Sequence, residues 1–203
     1  MVYGITENEA KVMDFLVRYF GERNSINQIG KLLKFSPMGI YKILKNLEAM
    51  KAVRAEKIGN AIYYRANLKD EDGKALAAYV LSHQEMNSYA RVYAQDFKEK
   101  LGDSVQAIVL FGSILEKGKD AQDVDVLIIF EKDKYKEVHK KLEEIKELSS
   151  KKIHDLMMGP NDLGDNLQKG NKAMIDLIQK GAILKGAHSI VEAIEHGSRG
   201  QQA

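Results

Sequence analysis

Four residues in the middle of the chain have the side chains and the spacing needed to bind a phosphate group and a metal ion. Gly112-Ser113 is followed, after nine intervening residues, by Asp123 and Asp125. A glycine lets the backbone approach a ligand closely, and free N–H groups together with a serine hydroxyl can face phosphate oxygens. Carboxylates two positions apart on a strand emerge on the same face. Such a pair of hard oxygen ligands is suited to Mg²⁺ or Mn²⁺.

Two short strands are predicted to position these groups. The apolar runs 107–111 and 126–130 are too short for typical helices and indicate buried strands. Gly112 ends the first strand, and Asp123 and Asp125 open the second. The phosphate-binding turn and the carboxylates are therefore expected at the same edge of a sheet.

An acidic residue within a later predicted strand could join these carboxylates. Residues 134–150 have apolar positions at three- and four-residue spacing, which predicts a crossover helix, and residues 152–158 predict a short strand. Asp155 is the candidate, because a buried carboxylate within an apolar strand is costly unless something compensates its charge. Alternation along the strand assigns His154 to the opposite face, where we interpret it as a partly exposed or core histidine rather than a catalytic base.

The order of these residues carries a resemblance to a known family. The string Leu110-Phe111-Gly112-Ser113, followed by Asp123-Val124-Asp125-Val126, resembles the signature of the DNA polymerase beta-like nucleotidyltransferase superfamily. The resemblance implies a two-metal phosphoryl-transfer site that uses Mg²⁺ or Mn²⁺ and an NTP, with ATP the expected nucleotide. It assigns Asp123, Asp125 and Asp155 to catalysis and metal binding, and Gly112, Ser113 and Lys117 to nucleotide binding.

Ordinary structural explanations exist for each of these features. Gly-Ser between two strands is more often a simple turn, and two Asp residues at a strand start are more often solvated. Asp155 has the alternative of being a surface acid on an edge strand. The segment after Ser113 also departs from the family pattern, since Gly118 is displaced by about one position, although Lys117 could still face a triphosphate. Order and spacing together favour the nucleotidyltransferase fold.

The first 68 residues predict a separate domain. Amphipathic patterns indicate helices at 7–20 and 25–33, and Ser36-Pro37 begins a third helix that ends near residue 50. Strands at 53–57 and 61–65 then flank a Gly-Asn turn. This order resembles a winged helix-turn-helix domain, whose third helix enters the major groove of double-stranded DNA. The residues predicted to contact DNA are Met38, Tyr41, Lys42, Lys45, Asn46, Lys57 and Asn60.

Charge distribution supports DNA as the partner of this domain. Residues 1–68 contain eleven Lys and Arg but six Asp and Glu, a net charge of +5, whereas the whole chain carries +2. The basic excess therefore belongs to the first domain and predicts salt-dependent binding to phosphates. The alternatives are a solvated surface without a partner and a protein–protein interaction module.

The remaining segments complete the predicted organisation. Residues 69–101 have apolar positions at helical spacing and predict a linker and dimerisation helix, so a homodimer is expected. Residues 102–196 are assigned to a minimal nucleotidyltransferase domain, with a helix over 161–180, a short strand at 182–184 and a helix over 189–196. Residues 197–203 are predicted to be a disordered tail.

Composition limits the class of protein. The 203 residues are 44% hydrophobic and 30% charged, which is typical of a folded soluble chain. The apolar runs are about five residues long, against roughly 20 for a bilayer crossing, so no membrane partner is expected. The absence of Cys leaves no disulfide and no thiol chemistry, and the predicted location is the cytoplasm.

The predicted fold class is therefore α+β, with an N-terminal winged helix-turn-helix, a linker helix and a C-terminal α/β nucleotidyltransferase domain with a short mixed sheet. The predicted function is transfer of a nucleoside monophosphate from an NTP to an unknown protein or small-molecule acceptor, coupled to DNA binding. The alternative is a DNA-binding transcriptional regulator whose nucleotidyltransferase fold senses nucleotide or is inactive.

Overall fold

The first third of the chain contains three helices and a small antiparallel sheet. The computed structural model describes residues 4–199. The β3 strand lies between β1 and β2 and pairs with both in antiparallel orientation. The elements are α1 (Glu7–Arg18), β1 (Asn24–Ser25), α2 (Ile26–Leu33), α3 (Pro37–Ala49), β2 (Val53–Ile58) and β3 (Ala61–Ala66). The predicted three helices and hairpin are thus present, with the additional short strand β1 before α2.

Polar side chains define where these helices begin. The Thr6 hydroxyl accepts a hydrogen bond from the Glu9 N–H, and the Glu9 carboxylate accepts one from the Thr6 N–H, so α1 starts with a capping box. Ser25 and Gln28 form the same arrangement at α2. Ser36 caps α3, and a proline occupies its first position.

The predicted linker helix over 69–101 is instead two helices. These are α4 (Glu71–Ser82) and α5 (Ser88–Leu101). Apolar residues continue at helical spacing across the break, but the Asn87 side chain accepts a hydrogen bond from the Ala90 N–H and starts a new helix. Val80 and Phe97, two of the apolar positions in this segment, are buried within the chain itself and so are not available for a contact between two copies.

A four-stranded mixed sheet follows, in the order β6-β5-β4-β7. The β5 and β6 strands are parallel and are joined by α7, as a parallel pair requires a crossover, and the other two pairs are antiparallel. The elements are β4 (Ala107–Phe111), α6 (Ser113–Lys117), β5 (Asp123–Ile129), α7 (Tyr135–Leu148), β6 (Lys152–Met158), α8 (Asp162–Gln168), α9 (Lys172–Lys180), β7 (Ala182–Lys185) and α10 (Ala187–Arg199).

Two sequence predictions for this region need correction. The single helix over 161–180 is divided into α8 and α9, because Gly170 takes a left-handed φ of 70° and Asn171 caps a new helix. The last helix extends through residues 197–199, which were assigned to the disordered tail. Residues 200–203 of that tail lie outside the described part of the chain.

Both faces of the four-stranded sheet are covered. On one face, Val126 and Ile128 pack in a cluster with Phe97 of α5 and Leu142 of α7. On the other face, Leu127 joins a cluster that includes side chains of α8 and α10 and also the buried residues of α1, α3 and α4. The N-terminal and C-terminal parts therefore share one continuous apolar core. Within residues 4–199, none of the helices combines the length and apolar character that a bilayer crossing requires.

Candidate active site

Gly112 and Asp125 meet at one edge of the four-stranded sheet. Phe111, the last residue of β4, pairs with Asp125 of β5. Gly112 follows with a left-handed φ of 77°, and a Cβ atom at this position would lie 2.1 Å from the Asp125 Oδ2 atom. A side chain at residue 112 would therefore collide with the carboxylate as well as strain the backbone.

Ser113 and Asp123 lie beside this pair. The Ser113 hydroxyl donates a hydrogen bond of 3.4 Å to the Asp123 Oδ1 atom. The side chains of Asp123 and Asp125 are 37% and 25% exposed, so both carboxylates are open to a ligand while partly shielded from water. Four of the predicted site residues are thus brought together at this edge.

His154, rather than Asp155, joins the two carboxylates. In the parallel pairing of β5 with β6, His154 lies opposite Asp125. The His154 Nδ1 atom is 3.5 Å from Asp123 Oδ2 and 3.5 Å from Asp125 Oδ1. The prediction that His154 faces away from the site is therefore wrong, and sequence reasoning missed this residue.

Asp155 lies on the other face of the sheet. It pairs with Val126, whose side chain is buried between the sheet and the helices α5 and α7. The Asp155 carboxylate is 2.7 Å from the Lys146 Nζ atom of α7. Burial acts to lower the pKa of Lys146, but the Asp155 and Glu143 carboxylates outweigh it and raise that pKa. The Lys146 ammonium thus offsets the charge of Asp155, the predicted third carboxylate.

The surroundings of Asp125 disfavour a negative charge on its carboxyl group. Burial raises the pKa of the Asp125 carboxyl, and the nearby Asp123 carboxylate raises it further, while His154 opposes the shift. Two carboxylates held this close therefore repel one another, and a cation between them would relieve the repulsion. The two carboxylates fit a divalent cation by their chemistry. Within residues 4–199, however, no group of three or more His, Asp or Glu side chains is arranged to hold a metal ion.

The side chain of Asn87, which caps α5, holds the segment that follows Ser113. The Asn87 Nδ2 atom donates hydrogen bonds to the carbonyl oxygens of Ile114 and Leu115, at 2.9 and 3.0 Å. This segment forms the short helix α6, and Lys117 is exposed at its end. Among the described residues, no hydrogen bond or ion pair connects Lys117 with the carboxylates.

The residues predicted to contact DNA lie on α3 and on the β2–β3 hairpin of the N-terminal part. Met38 and Tyr41 of α3 are 63% and 44% exposed, and Lys42 is exposed beside them. Two others have partners within the chain, since Lys45 forms an ion pair with Glu48 and the Asn46 amide donates to Glu9. Lys57 lies in β2, and Asn60 lies in the turn between β2 and β3.

A comparison with protein families agrees with this geometry. Residues 91–177 match the family model described as "Nucleotidyltransferase domain". The matched segment contains the Gly-Ser turn, both carboxylates of β5 and His154, but fewer than half of the 203 residues. No curated protein and no solved structure gives a significant match to this chain.

Proposed function

We propose that this chain, which has a nucleotidyltransferase domain at residues 91–177, transfers a nucleoside monophosphate from an NTP to an acceptor hydroxyl. The observation that carries the proposal is the convergence of Gly112, Ser113, Asp123 and Asp125 at one edge of the sheet. These residues supply, in one place, a backbone that can approach phosphate and a pair of carboxylates that can hold Mg²⁺ or Mn²⁺.

The chain's own groups would orient the reactants. Gly112 leaves room for the terminal phosphates of the NTP, and the Ser113 hydroxyl can donate to a phosphate oxygen when it leaves Asp123. Asp123 and Asp125 would hold a divalent metal, which when bound neutralises phosphate charge and favours departure of pyrophosphate. The acceptor oxygen forms the new bond to the α-phosphorus, the bond from that phosphorus to pyrophosphate breaks, and the acceptor proton is released.

The first test is nucleotide binding, because it needs no knowledge of the acceptor. Calorimetry with ATP and Mg²⁺ should detect binding by the wild type that disappears without the metal. Asp125→Asn should lose this binding, whereas Asp133→Asn, an equivalent change at an exposed turn, should retain it. Absence of binding for all four NTPs, with Mn²⁺ as well as Mg²⁺, would overturn the proposal.

A transfer assay then identifies the acceptor class. Wild-type protein incubated with α-³²P-labelled NTPs and a cell extract should label either a protein band or a small molecule separable by chromatography. Asp125→Asn should abolish the label. Metal-dependent nucleotide binding without any transfer would favour the alternative function, a regulator that senses nucleotide.

We further propose that residues 1–68 form a winged helix-turn-helix that binds double-stranded DNA. The element order, the exposed Met38 and Tyr41 of α3 and the net charge of +5 support this proposal. Sequence-selective binding to a DNA library is the expected result. Salt-insensitive or undetectable binding would contradict it.

We also propose a homodimer in which α5 contributes to the contact. Tyr89 and Val92 lie three residues apart on this helix and are 47% and 60% exposed. Light scattering should give twice the mass of the chain, and Val92→Glu should shift the protein to the monomer. A monomeric mass for the wild type at micromolar concentration would exclude the dimer.

A further inference from the structure

We infer that the active site accepts one divalent cation per bound nucleotide, where a site with three carboxylates would accept two, and that His154 sets this number. The inference rests on the proposed function and concerns the metal requirement of the same site.

The register decides which side chain stands beside the two carboxylates. Side chains that lie directly opposite one another on paired strands project from the same face of the sheet. Because β5 and β6 pair with His154 opposite Asp125, the imidazole occupies the position from which a third carboxylate could reach the ions. Asp155 is one residue too late along β6 and projects from the other face.

The side chains that meet at this edge therefore favour a single cation. Two divalent ions that share a phosphoryl-transfer site lie about 3.5–4 Å apart and repel each other strongly unless dense negative charge surrounds them. Among the described side chains that meet here, Asp123 and Asp125 provide negative charge, whereas His154 adds none. The carboxylate of Asp155 is committed to Lys146 at 2.7 Å.

The position of the His154 imidazole also favours a single ion. Its Nδ1 atom is 3.5 Å from an oxygen of each carboxylate, so the ring borders both of them at once. A second ion would have to be held by the same two carboxylates with this ring beside it. One ion can instead lie on the open side of the carboxylates together with the phosphates, which supply oxygen ligands of their own.

The experiment counts ions rather than products. Mn²⁺ bound per protein is measured by electron paramagnetic resonance at saturating α,β-methylene ATP, which cannot be transferred, with a protein-free nucleotide solution as reference. The wild type should bind one Mn²⁺. His154→Asp, which supplies a third carboxylate at this position, should bind two. Asp155→Asn, the neighbouring change on the other face, should remain at one.

The outcomes separate this inference from the proposed function. Two ions in the wild type, or one in a folded His154→Asp variant, would overturn the inference and leave the proposed function intact. No nucleotide-dependent Mn²⁺ binding by the wild type would overturn the proposed function itself. Circular dichroism verifies that His154→Asp is folded. If that variant does not fold, His154→Glu replaces it, and the wild-type count still decides the first claim.

Discussion

The Nη1 atom of Arg18 lies 2.7 Å from the carbonyl oxygen of Ile178, a residue 160 positions further along the chain. The same nitrogen donates to the carbonyl of Gly181, and the Asp14 carboxylate receives the Arg18 Nε–H at 2.9 Å. Because Arg18 is buried, its charge is satisfied by one partner in its own helix and by the end of α9. A single side chain of α1 thus connects the N-terminal part to the end of α9 and to Gly181, the residue before β7.

Replacing Arg18 should destabilise the whole chain. Arg18→Met leaves the partly buried Asp14 carboxylate and the α9 carbonyls without their donor, so we expect the free energy of unfolding to fall by about 3 kcal/mol. Urea denaturation measures this loss. The double variant Asp14→Leu with Arg18→Met removes the unpaired charge and should recover part of it. A loss below about 0.5 kcal/mol would mean that the contact is as weak as an exposed ion pair.

Gly112→Ala should disable the site without unfolding the protein. The new methyl group would meet the Asp125 carboxylate and force it away from Asp123, so metal-dependent nucleotide binding should be lost. Gly102→Ala is the matched control, since no atom lies within 4 Å of the Cβ it would add. Calorimetry with ATP and Mg²⁺ compares the two variants. Wild-type affinity in Gly112→Ala would contradict the proposed placement of the phosphates.

Acid should weaken the start of α1 through Glu9. Although burial acts to raise the pKa of the Glu9 carboxyl, the hydrogen bonds from Thr6 and Asn46 outweigh it and hold that pKa below its usual 4.5. The folded state therefore binds the proton less readily than the unfolded state. The stabilisation by ionised Glu9 is complete above pH 4.5 and is lost as the pH falls through the lower value of the folded protein.

Glu9→Gln isolates this contribution, because glutamine does not titrate. At neutral pH we expect the variant to be about 1–2 kcal/mol less stable than the wild type. As the pH falls below 4.5, the difference should shrink because the wild type loses its charge. Urea midpoints at several pH values measure both curves. A difference that stays constant with pH would mean that Glu9 keeps its usual pKa.

Lys42 should contribute to DNA binding through charge alone. It is exposed on α3, and no ion pair within 4.0 Å engages it in the described part of the chain. Lys42→Ala should weaken DNA binding at all sequences and reduce the slope of log K against log salt by about 0.9. Lys140→Ala removes the same charge from the exposed side of α7 and should leave the slope unchanged. Fluorescence anisotropy at several salt concentrations makes the comparison.

Local patterns predicted most elements of this chain correctly. Ser36-Pro37 marked the start of α3, and the Gly-Asn turn marked the β2–β3 hairpin, because caps and turns depend on adjacent residues. The break between α4 and α5 was missed, since the apolar spacing continues through it. Asn87-Ser88 was the available signal, as both residues favour the start of a helix.

Local sequence patterns could not predict which side chains of β6 project from the same face of the sheet as Asp123 and Asp125. One face of this strand carries Lys152 and His154 and the other carries Asp155, each with apolar neighbours, so alternation does not show which face is turned towards Asp123 and Asp125. The choice depends on the pairing of β5 with β6, and on Lys146, which lies on a helix and compensates Asp155. Both are tertiary contacts. The carboxylates of β5 needed no such information, because only nine residues separate them from the Gly-Ser turn and the spacing itself marks them.

The β7 strand has a consequence for dividing this protein into fragments. It lies beside β4 and begins at Ala182, beyond the segment 91–177 that matches the family model. A fragment cut to those limits would keep the pairing of β4 with β5 but would expose the edge of the apolar strand β4 that otherwise pairs with β7. Open edges of this kind recruit strands from other molecules. Expression of residues 91–177 alone should therefore yield aggregates, whereas a fragment that extends through α10 should remain soluble.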